Sequence, residues 1–433
     1  MSSSILPKGF RAAGLPRKDR PRPSRHGLAF FYSETPATAA ACFTTNRVKC
    51  VHIPIDQTHL KKGKAQAIMI NSGCANCCTG ARGIKEAKET MRWASEALGI
   101  PASLIQIAST GVIGDFMPMD LLKEEIPLVA GQALSDQGLT AQGFHKAAEA
   151  IMTTDTTVKI AHQTAVIQGK EIRVWGCAKG AGMIHPLMTL TGEVLRPKSR
   201  VQSLGPGPGT RDLGQSLRGR HATMLGFVLT DASVPQRILE SVLSEATNQS
   251  FNRVTVDGDM STNDSIFLLA NGASGISITS KNQTLFAQAV QQVCEQLAKL
   301  IAKDGEGASK FLEIRVDQAR TVQEAQQLAM TVATSPLVKT AAYGEDSNWG
   351  RILAALGRSG VAIDPAKIDI YFADLCVFKR GSPTAVSAED ARAPLKAKDV
   401  VIRIVAHQGK AQGLYWTCDF TGQYVDINAR YRT

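Results

Sequence analysis

The chain has 433 residues, 44% of them hydrophobic and 6% aromatic, with a formal net charge of +11. That length can bury a large core and suggests two or more lobes, while no apolar run reaches the ~18–20 residues of a membrane helix and no hydrophobic stretch marks a secretory signal. The charge is confined to two segments, residues 1–26 at net +6 and 189–221 at net +4, which leaves +1 for the body; nucleic-acid binding is therefore not expected, because a phosphate-tracking groove needs cations and aromatics on the folded surface.

In chain order, residues 1–26 are basic, proline-bearing and poorly patterned. From Gly27 the chain turns strand-like, with LAFFYS, ATAAACFTTN and a VHIPI alternation. AQAIMINSG (65–73) reads as a buried strand ending in a turn signal. GCANCCTG (73–80) then opens a helix through Leu98. Its C-x-x-C-C lacks a second ligand pair at zinc spacing, so small buried thiols are expected rather than a metal site. Nine cysteines, an odd number without framework spacing, fit reduced thiols in a cytoplasmic protein.

IQIASTGVIGDFMPM (105–119) reads as a strand running into Ser109-Thr110-Gly111. A hydroxyl followed by glycine at a strand end can aim an O–H and an N–H at one point, as an oxyanion hole requires; the plain alternative is a strand-to-helix turn. AIMTTDTTVK (150–159) reads as a helix end followed by a strand start. KGAGMIHPLM (179–188) passes through two glycines that permit close backbone approach. ATMLGFVLTDA (222–232) opens a buried element headed by Thr223, either a packed strand threonine or a nucleophile. Between them, residues 189–221 hold GPGPG and no sustained period, the composition of a flexible insertion.

Helices are expected over 234–246, 283–301 and 321–331. DGDMSTND (257–264) is a polar turn run that lacks the terminal Glu of a calcium loop. Glu306 sits between two glycines, and NWGR (348–351) looks exposed. The last third alternates with period 2 and reads as an antiparallel sheet, closing on a strand-like YVDINARYRT.

Joined across the insertion, KGAGMIHPLM and ATMLGFVLTDA resemble the signature of the ornithine acetyltransferase (glutamate N-acetyltransferase) family of arginine biosynthesis. KGFRAAG, ASTGVIG, DGDMSTND, DGEGASK and GEDSNWGRI extend the resemblance from Gly9 to Thr433, in the family's order. KGFRAAG begins at Lys8, which leaves little room for a transit peptide. Cys74, Cys77, Met260 and Ser347 depart from the family's usual Asn, Ala, Thr and Pro.

The resemblance implies an α/β layered sandwich of mixed sheets with flanking helices, related to the threonine/serine-nucleophile aminopeptidase fold. It implies a precursor that cleaves itself between Ala222 and Thr223, giving chains 1–222 and 223–433 that interleave in one fold. Thr223 would be the nucleophile, with its freed α-amine as base, and Thr110 and Gly111 the oxyanion donors. Thr153 (with Thr154 as the fallback), Lys179, Thr223, Glu306, Asn428 and Thr433 would bind substrate. Lys179 reads either as a solvated strand-end lysine or as a cation near the substrate carboxylate or oxyanion, and the resemblance favours the second; His185 reads as structural. The implied reaction moves acetyl from N-acetylornithine to glutamate, with no cofactor and no metal, acetyl-CoA being left open as a co-substrate. Two cleaved protomers would pair as a heterotetramer of two alpha and two beta chains. The rival readings are a self-cleaving aminopeptidase-like hydrolase and an uncleaved scaffold disabled by the insertion.

Overall fold

A computed structural model describes residues 5–17, 26–193 and 223–429. The first lobe carries strands β1 (Phe10–Leu15), β2 (Gly27–Thr44), β3 (Lys64–Cys74), β4 (Ile105–Val112), β5 (Lys159–Ile167), β6 (Lys170–Lys179), β7 (Met188–Thr189), β8 (Leu225–Thr230) and β9 (Ser265–Ala270). Its helices are α1 (His52–His59), α2 (Gly80–Leu98), α3 (Met119–Leu134), α4 (Ala141–Ala150), α5 (Gln236–Gln249) and α6 (Gln283–Lys303). The strands hydrogen-bond in the order β4-β3-β2-β9-β8-β6-β5, with β1 and β7 added along β2.

The long strand β2 makes this a layered sandwich. Its register against β3 jumps from Tyr32↔Ala67 to Ala37↔Ala65, so extra residues bulge at the exposed Glu34-Thr35-Pro36. A bulge bends a strand, and Pro36, with no N–H to give, suits one. The half before the bulge pairs with β1 and β3, and the half after it with β9.

Side-chain alternation then sorts the cores. Leu28, Phe30 and Tyr32 pack under α2 and α3, whereas Ala29 and Phe31 face the other layer. There Phe31 meets Phe227 of β8 with ring centroids 5.4 Å apart. The far side of β6, β8 and β9 packs on α5 and α6. Helix, sheet, sheet, helix is the layer order, the α/β sandwich of mixed sheets with flanking helices expected from the sequence. The amphipathic patterns behind α5 and α6 were legible; both helices run two or three residues further than expected.

The second lobe holds β10 (Phe311–Ala319), α7 (Val322–Ala333), α8 (Pro336–Tyr343), α9 (Trp349–Gly357), β11 (Asp369–Phe372), β12 (Leu375–Lys379), β13 (Ser382–Pro383), α10 (Ala388–Arg392), β14 (Asp399–Val405), β15 (Ala411–Cys418) and α11 (Gly422–Ala429). Its sheet runs β13-β12-β11-β14-β10-β15 around its own core. Trp416 and Cys418 of β15 reach into the first lobe's core and join the two.

Four local expectations change. VHIPI lies in helix α1, not a strand: the buried faces of His52, Ile53 and Asp56 follow helical spacing. LAFFYS and ATAAACFTTN are one bent strand, not two. The last sheet is mixed, because β10 and β14 run parallel while its other pairs are antiparallel. YVDINA forms helix α11, so Asn428 projects from a helix rather than a strand.

Of the insertion, Thr189 pairs with Phe43 in β7 and residues through Glu193 form a turn; residues 194–221 lie outside the described residues, as do Ala222 and Thr433. Among the described residues no helix is long and apolar enough to cross a membrane.

Candidate active site

Strand register gathers the site at one end of the sandwich. Lys179, the last residue of β6, pairs antiparallel with Leu225, and Leu225 pairs parallel with Ser265. Thr223 therefore sits beside the C-terminal end of β6 and the N-terminal approach to β9. Across the layers, Ser72 and Gly73 of β3 lie beside Thr110 and Gly111 of β4. Asn263 ties the layers together, its amide Nδ2 donating to the carbonyls of Ala75 and Ser109, each at 2.8 Å.

Thr223 is buried, and its hydroxyl lies 2.8 Å from that of Ser261. Ser261 Oγ also accepts the Asn263 N–H at 3.2 Å. The Met224 N–H donates to Asp264 Oδ1 at 3.0 Å, while Asp264 Oδ2 is buried without a hydrogen-bond partner among the described residues. Burial pushes the Asp264 carboxyl up to about 7, against the Met224 and Ser261 N–H groups that lower it. Sequence reading singled out the DGDMSTND run but not Ser261, Asn263 or Asp264, because nothing in a polar turn says which hydroxyl will face Thr223.

Lys179 is fully buried, which sets aside the solvated reading. Its ammonium donates to Thr153 Oγ1 at 2.7 Å and to Thr110 Oγ1 at 3.1 Å. Three residues chosen from the sequence thus meet at one nitrogen. Asp155 lies 3.8 Å from the same nitrogen. Burial works against its ionisation, yet Lys159 and then Lys179 hold its carboxyl well below the usual carboxylate range. Burial also pulls Lys179 down to about 8, against Asp155, which raises it.

The turn after Lys179 runs between Thr223 and Glu306. A Cβ on Gly182 would overlap the Glu306 carboxylate as it stands, so the glycine is what lets that carboxylate lie against the turn. The Glu306 N–H donates to the Ala181 carbonyl at 2.8 Å, and Asn428 Nδ2 donates to Glu306 Oε2 at 3.0 Å. Glu306 and Asn428 are therefore brought together, with Asp257 holding the intervening Met183 and Ile184 N–H groups at 2.6 and 3.0 Å. Glu306 and Asp264 both act electrostatically on Lys179, favouring its charged form against burial.

At the oxyanion element, Gly111 has φ +131°, and a Cβ there would overlap the Gly73 backbone. Its glycine is required by the close approach of β3 and β4. His185 lies beside Tyr415 with its ring tilted 31° and centroids 6.2 Å apart, and burial lowers its pKa, consistent with a structural role. Cys74 and Cys77 are buried free thiols and Cys78 an exposed one.

Chemically, the arrangement offers a buried hydroxyl, a lysine-supported second hydroxyl next to a glycine, and a carboxylate–amide pair. That set suits acyl transfer through a threonine ester, with a carboxylate to hold a substrate cation.

Residues 12–433 match the ArgJ family. The chain is 41% identical over 431 residues to the arginine biosynthesis bifunctional protein ArgJ of Symbiobacterium thermophilum, covering 99% of this chain and 98% of that one. It is 43% identical over 435 residues to the protein of the same name from Desulfotalea psychrophila, covering 98% and 99%. A solved structure of the arginine biosynthesis bifunctional protein argJ from Bacillus halodurans is 44% identical and covers 46% of this chain and 96% of that chain, with a TM-score of 0.45. The chain belongs to the ArgJ family.

Proposed function

We propose that this ArgJ-family chain is a glutamate N-acetyltransferase of arginine biosynthesis, moving acetyl from N-acetylornithine to glutamate through an acetyl-threonine at Thr223. The observation that carries the reading is the convergence of Thr223 with Ser261 and of Lys179 with Thr110 at one end of the sandwich, in a chain with close relatives named for arginine biosynthesis.

In the precursor, Thr223 Oγ attacks the Ala222 carbonyl carbon, the C–N bond breaks, and the nitrogen takes up a proton. Water then hydrolyses the resulting ester, releasing a chain that ends at Ala222 and one that begins at Thr223. The freed α-amine, with a reference pKa near ~8, accepts the proton of its own hydroxyl near neutral pH. Thr223 Oγ then attacks the acetyl carbonyl of N-acetylornithine, and Thr110 O–H and Gly111 N–H take the developing oxyanion. Ornithine leaves with a proton on its nitrogen. Glutamate's amine attacks the acetyl ester and restores the threonine hydroxyl. Glu306, oriented by Asn428, takes the side-chain ammonium of N-acetylornithine, whose α-nitrogen is an amide, and Thr153 and Lys179 contribute to binding, as Thr433 does by the family resemblance.

Acetyl-CoA as an alternative donor, a heterotetramer of two alpha and two beta chains, and a cytoplasmic setting belong to the same proposal. All nine cysteines are free thiols, which supports a reducing compartment.

The test is intact mass under denaturing conditions, followed by an acetyltransferase assay. Two fragments summing to the 46.3 kDa chain plus a water, with glutamate-dependent release of ornithine from N-acetylornithine, are expected. A single uncleaved species without transfer overturns the reading. Cleavage with hydrolysis of amino-acid amides, but no transfer, assigns the chain to the aminopeptidase type instead.

A further inference from the structure

Behind Lys179 lies a buried row of alternating charge that the proposed reaction does not itself require. Asp155 Oδ1 accepts from Lys159 Nζ at 2.7 Å and from the Gly180 N–H at 2.6 Å, and its Oδ2 accepts from the Thr153 N–H at 3.0 Å. Lys159 Nζ donates onward to Asp304 Oδ2 at 2.5 Å. Asp304, at the end of α6, also accepts from the Thr156 N–H and hydroxyl. The side chains of Asp155, Lys159 and Lys179 are fully buried, and that of Asp304 is 7% exposed. Two carboxylates and two ammonium groups balance, and the row ends on the hydroxyls of Thr110 and Thr153.

A hydroxyl has one proton to give and lone pairs to accept with. When Lys179 is an ammonium it can only donate, so the proton of Thr110 must point elsewhere. A neutral Lys179 would offer a lone pair, and the Thr110 proton could turn back toward it. The charge on Lys179 therefore decides whether Thr110 is a donor to the site.

We propose that Asp155, backed by Lys159 and Asp304, is a positioning residue of the acyl-transfer site: it keeps Lys179 charged and aimed, so that the Thr110 hydroxyl donates to the reacting carbonyl. The assignment rests on the transferase reading but adds residues that it did not contain. The other charges facing Lys179 are Glu306 and Asp264, which favour its ammonium form, and Lys159, which opposes it.

The test is the pH profile of kcat in three cleaved proteins. Wild type should gain activity along an acid limb as the Thr223 α-amine sheds its proton, and lose it along a basic limb as Lys179, near about 8, gives up its own. Asp155→Asn removes the anion, so the basic limb should move down by about one to three pH units and kcat at pH 7 should fall about 10²-fold, with KM changing less. Lys159→Met removes a like charge, and the basic limb should move up. A purely structural role would scale the whole profile without moving a limb. A wild-type profile without a basic limb, or limbs unmoved in both variants, overturns the proposal. Should wild type show no transfer at all, the transferase reading falls instead. The ¹⁵N shift of the Lys179 ammonium in labelled protein then decides, since it must titrate at lower pH in a folded variant, Asp155→Asn or Asp155→Ser, and no change in its titration overturns the proposal. If neither Asp155 variant folds, Lys159→Met carries the same readout with the opposite sign.

Discussion

The hydroxyls of Thr223 and Ser261 lie 2.8 Å apart in a buried setting where Ser261 is itself fixed by the Asn263 N–H. That contact restrains the Thr223 hydroxyl, and the hold comes from a turn 38 residues away in sequence. Ser261→Ala should leave the fold intact, slow self-cleavage, and lower kcat by about 10–10²-fold through misplacement of Oγ. Time-resolved intact mass and steady-state kinetics check both. Cleavage and turnover within about twofold of wild type would remove Ser261 from the positioning of Thr223.

Thr110 offers the only side-chain O–H expected at the oxyanion. Thr110→Ala should cost ~10²–10³ in kcat with little change in KM, measured by ornithine release. A loss under about tenfold would take Thr110 out of that role. Thr110→Ser keeps the hydroxyl and should recover most of the activity.

Gly182 and Glu306 make a contact that leaves no room for a methyl group. Gly182→Ala should displace the Glu306 carboxylate and raise KM for N-acetylornithine, with a stability loss of under about 1 kcal/mol because the end of a flexible side chain can move aside. Glu306→Gln keeps the shape and loses the charge. It should raise the same KM by about 10–10²-fold, the worth of a charge-assisted hydrogen bond, without lowering the melting temperature. Unchanged KM in both variants would place the substrate ammonium elsewhere.

His52 governs part of the acid stability. It is fully buried on α1 with the Cys50 sulfur 3.1 Å from Nδ1. Burial pulls its pKa from 6.5 down to about 3. The folded state thus keeps His52 neutral where the unfolded chain would protonate it. Stability is full above pH 6.5 and falls as pH drops toward 3, by about 1.4 kcal/mol for each unit in that window. Melting temperatures between pH 7.5 and 4 should fall less steeply for His52→Gln than for wild type. Equal slopes would show that other groups carry the acid transition.

Much of this protein was written in the sequence by itself. The periods behind α2, α5, α6 and α7 and the buried runs of β3, β4 and β8 determined the elements, and the resemblance of the motifs, in their order, to a known family pointed to Thr110, Thr153, Lys179, Thr223, Glu306 and Asn428. Local patterns reach that far because each depends on neighbours within a few residues. Tertiary structure alone decided what those residues touch. The bend in β2 set one half of the strand against the other layer, and only that stacking brings Ser109 to Asn263. VHIPI went into a helix because packing of His52, Ile53 and Asp56 outweighs a short alternation, and YVDINA went into another with none of its side chains buried. Nothing in the sequence singled out Asp155, Lys159 and Asp304 as a group, and burial makes them, with Lys179, a charge-balanced row. The physical reason is range: burial, charge pairing and hydroxyl orientation depend on groups as far as 148 and 154 residues apart in the chain, and no short window along the sequence contains them.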